Sequence, residues 1–346
     1  MSVHFLEVLQ PGILTTVQDT GRFKYQRLGY TQSGAMDDYA LRVGNRLVDN
    51  PENEAGLEMT YVGEEFLILT DAMIAITGAD FSPEVDGTAI PMWQSVNVEK
   101  NSFLSFKERK YGVRAYICVK GGFDVPRVLG SKSTDLKSSF GGYEGRKLKA
   151  GDILSIPKMS VDSGNINNKF PEELVEQNYR WYDEPQEIKV TLGPDTDNFT
   201  EKGYKTLLES EYEISEKLDR QGYQLIGSKI EHSSKSPNII TNFTSLGAVQ
   251  VPGAGTPIIL MKDRQTSGGY AKIANVISAD ISKLAQRGLG EKISFTSVDI
   301  SRARELFINY ESIVSKTKLE PLVDHLIFRV QVDNENYIVH IKEVDS

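Results

Sequence analysis

The densest chemistry in the chain lies at residues 263–270. Asp263, Arg264, Gln265, Thr266, Ser267, Gly268, Gly269 and Tyr270 follow the apolar stretch Ile258-Ile259-Leu260-Met261. An acid, a guanidinium, an amide and two hydroxyls in one run could hold a carboxylate, a carboxamide or a ureido ring. Arginine offers a planar fork for an anion. A paired glycine lets backbone amides approach a bound group and steady a developing oxyanion. The structural alternative is a Gly-Gly turn with an internal Asp263–Arg264 pair. Residue types alone leave both open.

Four further runs combine glycine with polar side chains: Gln18-Asp19-Thr20-Gly21-Arg22, Gln32 to Asp37, Lys120 to Pro126, and Gly141 to Arg146. Such runs pack little and cost backbone entropy, so they mark sites or tight turns. For Asp19 and Arg22 the plain expectation is an inward-facing ion pair that fixes the loop. For the last two runs it is a hairpin or a bulge.

Two nucleotide patterns fail. Gly130-Ser131-Lys132-Ser133-Thr134 resembles the end of a P-loop, but Ser131 stands where glycine must precede the lysine. Gly253-Ala254-Gly255 lacks a third glycine and runs into Pro257 and a strand, which defeats the dinucleotide fingerprint. The four histidines, His4, His232, His325 and His340, are scattered and none forms an i, i+4 zinc pair. Structural or surface roles are expected for each.

The elements that must position these residues are mostly strands. Phe66–Leu69, Met73–Ile76, Tyr116–Val119, Ile153–Ile156, Ile188–Leu192, Ile258–Met261 and Ile293–Phe295 are short apolar runs bounded by turn residues. Leu326–Val332 and Tyr337–Ile341 alternate cleanly, with residues 333–336 as a hairpin turn. Helices are few. Asp37 can cap one carrying Ala40, Val43, Gly44 and Leu47 on a face. A second, after Asp299 or Ser301, has the stripe Ala303, Leu306, Phe307, Tyr310, Ile313 and Val314. Many short strands with few helices favour barrels or sandwiches.

At 346 residues the chain is long enough for about two domains. A polar, turn-forming segment at residues 158–186 places the boundary, giving units of 1–170 and 185–346. The formal charge of −9 argues against nucleic acid as a partner. The single cysteine, Cys118, excludes an internal disulfide and a thiolate zinc site. No stretch approaches the ~20 apolar residues of a membrane span, and no signal peptide is visible at the N-terminus. A cytoplasmic protein is expected.

Taken in order, the runs match a known family. Val17 to Arg22, Ser33 to Asp37, Asn50-Pro51-Glu52-Asn53, Gly121 to Pro126, Leu129 to Thr134 and Asp263 to Tyr270 resemble the KipA family. This family is also called allophanate hydrolase subunit 2 or the biotin-dependent carboxyltransferase family. Its stand-alone bacterial members include the C subunit of 5-oxoprolinase. The resemblance runs from about Leu6 to Phe295. It departs at Gly193-Pro194-Asp195, where the family has Gly-Pro-Gln. It departs again at Asp219-Arg220-Gln221-Gly222-Tyr223-Gln224-Leu225, where a second arginine is lost.

The resemblance implies a mainly β fold of two cyclophilin-like β-barrel domains with a few short helices. It implies two partners, a KipI-type B subunit together with a lactam-cleaving A subunit, in a complex that opens 5-oxoproline to glutamate with ATP hydrolysis. The alternatives are a biotin-dependent carboxyltransferase acting on urea or a similar amide, and a non-catalytic KipI-binding regulator. The chain itself is expected to bind no metal; ATP is used by the complex, and biotin is possible. The expected catalytic residues are Asp263, Arg264, Gln265 and Thr266. Gly268, Gly269, Tyr270 and Gln250 would bind the small-molecule substrate, with Ser33, Met36 and Asp37 contributed from the first domain.

Overall fold

The computed structural model describes residues 2–158 and 187–315 in full, and beyond these the backbone of strands 172–174, 319–321, 325–332 and 335–342 and the end of one helix. The boundary expected at 158–186 lies outside the described residues, apart from Lys158 and the short strand Glu172–Leu174.

The first half comprises β1 (Ser2–Gln10), β2 (Leu14–Gln18), β3 (Gly56–Thr60), β4 (Glu65–Ile68), β5 (Ala72–Asp80), β6 (Pro83–Val85), β7 (Thr88–Ala89), β8 (Ser95–Val98), β9 (Phe103–Phe106), β10 (Tyr111–Val119) and β11 (Ile153–Pro157). They form a six-stranded sheet, β11-β1-β4-β9-β6-β7, and a five-stranded sheet, β2-β3-β10-β5-β8. Phe5, Leu57, Phe66, Ile74, Ile117 and Leu154 fill the core of this half.

The strand period of two explains why β5 and β10 are buried almost throughout. Ile74, Ile76, Ala115, Ile117 and Val119 face that core. The residues between them, Met73, Ala75, Tyr116 and Cys118, face helix α1 (Asp38–Leu47) instead. As the sequence predicts, Asp37 caps this helix, its Oδ1 accepting from the Ala40 N–H at 3.1 Å.

After β12 (Glu172–Leu174), the second half adds β13 (Glu187–Leu192), β14 (Glu211–Leu218), β15 (Gly222–Ile226), β16 (Asn238–Phe243), β17 (Ala248–Gln250), β18 (Ile258–Leu260), β19 (Ser267–Tyr270), β20 (Lys272–Val276) and β21 (Lys292–Ser297). Seven of them close a barrel in the order β13-β20-β17-β18-β15-β14-β21. The ladder between β13 and β21 is parallel. Helices α2 (Glu201–Glu209), α3 (Ile281–Ala285) and α4 (Ile300–Lys316) complete this half. The mainly β architecture with few helices is as expected.

Two expectations need correction. Along α4 only Tyr310 and Val314 of the predicted stripe are buried, whereas Phe307 and Ile313 stay exposed. Helical period alone does not say how wide a face the neighbouring elements cover. After β22 (Leu319–Pro321), β23 (His325–Val332) and β24 (Glu335–Lys342) form the C-terminal hairpin and pair as far as Val332 with Glu335. Glu335 and Asn336, expected in the turn, therefore belong to a strand, and residues 333–334 lie outside the described residues. His325 and His340 are strand residues, as expected.

The halves interlock. Met36, from the first half, is buried in the core of the second. Tyr310 and Val314, from α4, are buried in the cluster around α1.

Candidate functional site

The first-half loops are organised around Asp19. Its Oδ1 accepts from the Gly21 N–H at 2.8 Å and from the Ser131 and Ser133 hydroxyls at 2.7 and 2.5 Å, and its Oδ2 accepts from the Lys132 N–H at 2.7 Å. The P-loop look-alike thus cradles a carboxylate of the chain itself. Lys132 Nζ turns away to Glu54 Oε1 and the Phe123 carbonyl, both at 2.7 Å. The expected Asp19–Arg22 ion pair does not form among the described residues: these four donors hold Asp19, and Arg22 Nη2 donates to the Ser133 carbonyl instead.

At the seam between halves, Arg220 reaches three acceptors. Its Nε and Nη2 fork onto Asp263 at 2.9 and 3.1 Å, its Nη1 donates to Glu58 of β3, and its Nη2 also donates to the Gly34 carbonyl at 2.6 Å. All three side chains are buried. Glu58 Oε2 further accepts from the Tyr116 hydroxyl and the Met36 N–H, each at 2.7 Å. Burial works to raise the Glu58 pKa, but Arg220 and Arg114 outweigh it and hold the carboxyl below its ordinary value. Asp263 goes the other way. Burial raises it, Asp135 and Glu58 add to the rise, and Arg220 only partly opposes them.

A second buried network flanks the first. Arg114 Nη1 donates to the Tyr223 hydroxyl at 2.6 Å and to the Ala285 carbonyl. Gln286 Nε2 donates to Asp37 Oδ2 at 2.7 Å, while its Oε1 accepts from the Val113 and Arg114 N–H groups at 3.0 and 3.1 Å.

The run at 263–270 is bent around this seam. Arg264 is buried and makes no ion pair among the described residues; it donates only to the Thr244 and Met261 carbonyls, at 3.4 and 3.3 Å. Burial lowers its pKa to about 10 against the pull of Asp263. Asp263 therefore pairs with Arg220 and not with its neighbour in sequence. Gly268 and Gly269 lie within β19, which pairs with β16, and do not form a turn. A Cβ at Gly268 would lie 2.7 Å from Gln250 Nε2 and 3.3 Å from Gln265 Nε2, so these two amides converge beside it. Gln250 is buried and donates to the Tyr270 carbonyl at 3.4 Å. The Thr266 carbonyl accepts from the Thr244 N–H at 3.1 Å, and Tyr270 stays exposed.

From the first half, the buried Ser33 hydroxyl lies 3.1 Å from that of Thr31, which donates to Asp135 Oδ2 at 2.5 Å. Met36 and Asp37 are absorbed into packing and capping. Sequence reasoning missed Glu58, Asp135 and Gln286, and gave Arg220 no role. One signal was available for Glu58: a lone acid within the apolar strand Gly56-Leu57-Glu58-Met59 has to find a buried cation. Among the described residues no three His, Cys, Asp or Glu side chains gather to hold a metal ion.

These features can be set beside known proteins. The chain is 36% identical to the 5-oxoprolinase C subunit of Escherichia coli, over 86% of this chain and 93% of that protein. It is 35% identical to the 5-oxoprolinase C subunit of Haemophilus influenzae, over 87% of this chain and 94% of that protein. Among solved structures it resembles the K. lactis urea amidolyase with a TM-score of 0.83 and 31% identity, covering 92% of this chain but 20% of that one. Residues 28–297 match the family described as carboxyltransferase domain, subdomain A and B, and the chain belongs to that family.

Proposed function

We propose that this chain is the C subunit of a 5-oxoprolinase. With a KipI-type B subunit and a lactam-cleaving A subunit, it would act in the ATP-dependent opening of 5-oxoproline to glutamate, in the cytoplasm. Near-complete coverage of two proteins of that name carries the reading. The seam supplies suitable chemistry. Arg264, which pairs with no carboxylate among the described residues, is available to a carbonyl oxygen that gains charge as the lactam opens. Asp263, with its raised pKa, orients that group, and the Gln250 and Gln265 amides fix the ring beside Gly268. The first experiment is co-expression with the two partner proteins, followed by assay of glutamate and ADP. Formation of both only when 5-oxoproline and all three proteins are present supports the reading. No turnover by an intact complex would sink it.

The family description and the likeness to a urea amidolyase favour a second reading, carboxyl transfer through biotin. The residues fit a ureido group, since Arg264 and the two amides offer donors to its carbonyl and Asp263 offers an acceptor. Carboxybiotin, when bound, would supply the carboxyl group. Inhibition of the complex by avidin would select this reading.

A further inference from the structure

The first half carries a cavity of about 370 Å³ that shares no lining residue with the Asp263 centre. It opens between β6, β7, the segment that follows them and the start of β10. The strand period explains which side chains reach it. In β6, Val85 packs against the first-half core, so Glu84 turns the other way, into the cavity, opposite Ala89 of β7 in the ladder. At the end of β5, Ala79 lies in that core, and Asp80 turns out beside its ladder partner Tyr111. The buried Trp93 closes the cavity from the core side, its ring 5.9 Å from that of Tyr39. Ser82 and Trp93, which both line it, hold left-handed backbone at φ +50° and +58°. Two such residues around one cavity are strain kept in one place, which occurs chiefly at ligand sites.

The charges in the wall are of both signs and unequally held. Asp80 Oδ1 accepts from the Ser82 N–H at 2.7 Å, and its Oδ2 lies 3.3 Å from Lys110 Nζ. Glu84 Oε2 lies 3.5 Å from Lys107 Nζ. The two acids are 14% and 21% exposed, and the two lysines 57% and 58%. The carboxylates are therefore fixed in the wall, whereas the ammonium groups move in solvent. The Lys110 backbone is nonetheless tied down, its N–H donating to the Asp80 carbonyl at 2.8 Å. Half-solvated pairs of this kind contribute little and exchange partners readily. Size, an apolar inner wall and a few charged groups together make a small-molecule site.

We propose that this cavity binds a free α-amino acid with an apolar side chain. The ligand's ammonium takes the Asp80 and Glu84 carboxylates, and its carboxylate takes Lys110. Its side chain lies against Ile90, Met92 and Trp93. An ammonium and a carboxylate on one carbon stand about as far apart as the Asp80 and Lys110 charges. The ligand thus matches the wall as one ion pair set antiparallel to another. A plain amine would leave Lys110 without an anion, and a plain acid would bring a like charge against Asp80 and Glu84. The site does not depend on the functional reading above.

The test is calorimetric titration of the full chain with L-leucine, L-methionine and L-phenylalanine. Each is compared with the matching amine, which lacks the carboxylate, and the matching acid, which lacks the amino group. The tightest of the three should bind once per chain, and about tenfold or more tighter than its own amine or acid. Glu84→Gln and Lys110→Gln should each weaken it by about fivefold or more. Ala89→Trp, at an exposed position opposite Glu84, should fill the cavity and abolish binding with the melting curve unchanged. No binding of any of the three would overturn the proposal. So would an amine or acid that binds as tightly as its amino acid, or binding that survives Ala89→Trp. Should Ala89→Trp unfold the chain, Lys110→Gln, at a mostly exposed side chain, carries the test, and undiminished binding there would overturn the proposal.

Discussion

Arg220 shows what a single residue holds in this molecule. Its guanidinium satisfies carboxylates from both halves, Glu58 and Asp263, and all three are buried. Removing one partner of a buried ionic cluster leaves an uncompensated charge, so Arg220→Gln should destabilise the chain by ~3–5 kcal/mol, read as a fall in the urea midpoint. Arg220→Lys should rescue little, because one ammonium cannot fork onto Asp263 and still reach Glu58. Glu64 gives a second prediction with a definite sign. It is buried in the first half, its Oε1 accepts from the Gly12 N–H at 3.2 Å, and burial pushes its pKa up to about 7. Folding then favours the protonated form. Between the unfolded value of about 4.3 and about 7, the native state binds more protons, so stability falls as pH rises. The fall ends once pH exceeds about 7. Glu64→Gln should remove this slope, raising Tm at pH 8 while changing it little near pH 4. An unchanged slope in the variant would reject the assignment.

At the scale of elements, loop geometry is set by contacts distant in sequence. Gly141 must adopt a left-handed conformation and pass close to Ser133 and Arg22, so Gly141→Ala meets strain and a clash together. We expect a loss of ~1–3 kcal/mol in thermal or urea unfolding. The elements themselves were largely legible in the sequence. Apolar runs such as Ile74 to Ile76 carry the strand signal, and Asp37 and Asp299 mark the helix starts, the latter accepting from the Arg302 N–H at 2.8 Å. The partners were not legible. Nothing local distinguishes Arg220 from Arg264 as the mate of Asp263, since Arg220 stands 43 residues away. Nor does local sequence reveal that Gly268 and Gly269 extend along a strand, because their pairing with β16 is a tertiary choice. A departure from the family pattern is likewise answered at a distance. Asp195, standing where the family has glutamine, pairs with the buried Lys272 at 2.9 Å.

At the scale of the whole molecule, the buried contacts shared by the two halves should make them one energetic body. The first half, taken alone, would expose the α1 face that Tyr310 and Val314 cover. It would strand Glu58 without Arg220, and Arg114 without the Tyr223 hydroxyl and Gln286. A buried carboxylate and a buried guanidinium would both lose partners, each loss comparable to a large share of a domain's total stability. We therefore expect a single calorimetric transition for the full chain, despite its separate sheets and barrel. A fragment ending at Lys158 should show no cooperative melt alone and should recover one when mixed with residues 187–346. The same reasoning links stability to the site, since the seam that would come apart is the one carrying Asp263. A fragment that melts cooperatively near the Tm of the full chain would mean that the buried ion network is dispensable. The seam would then be a docking face between independent units.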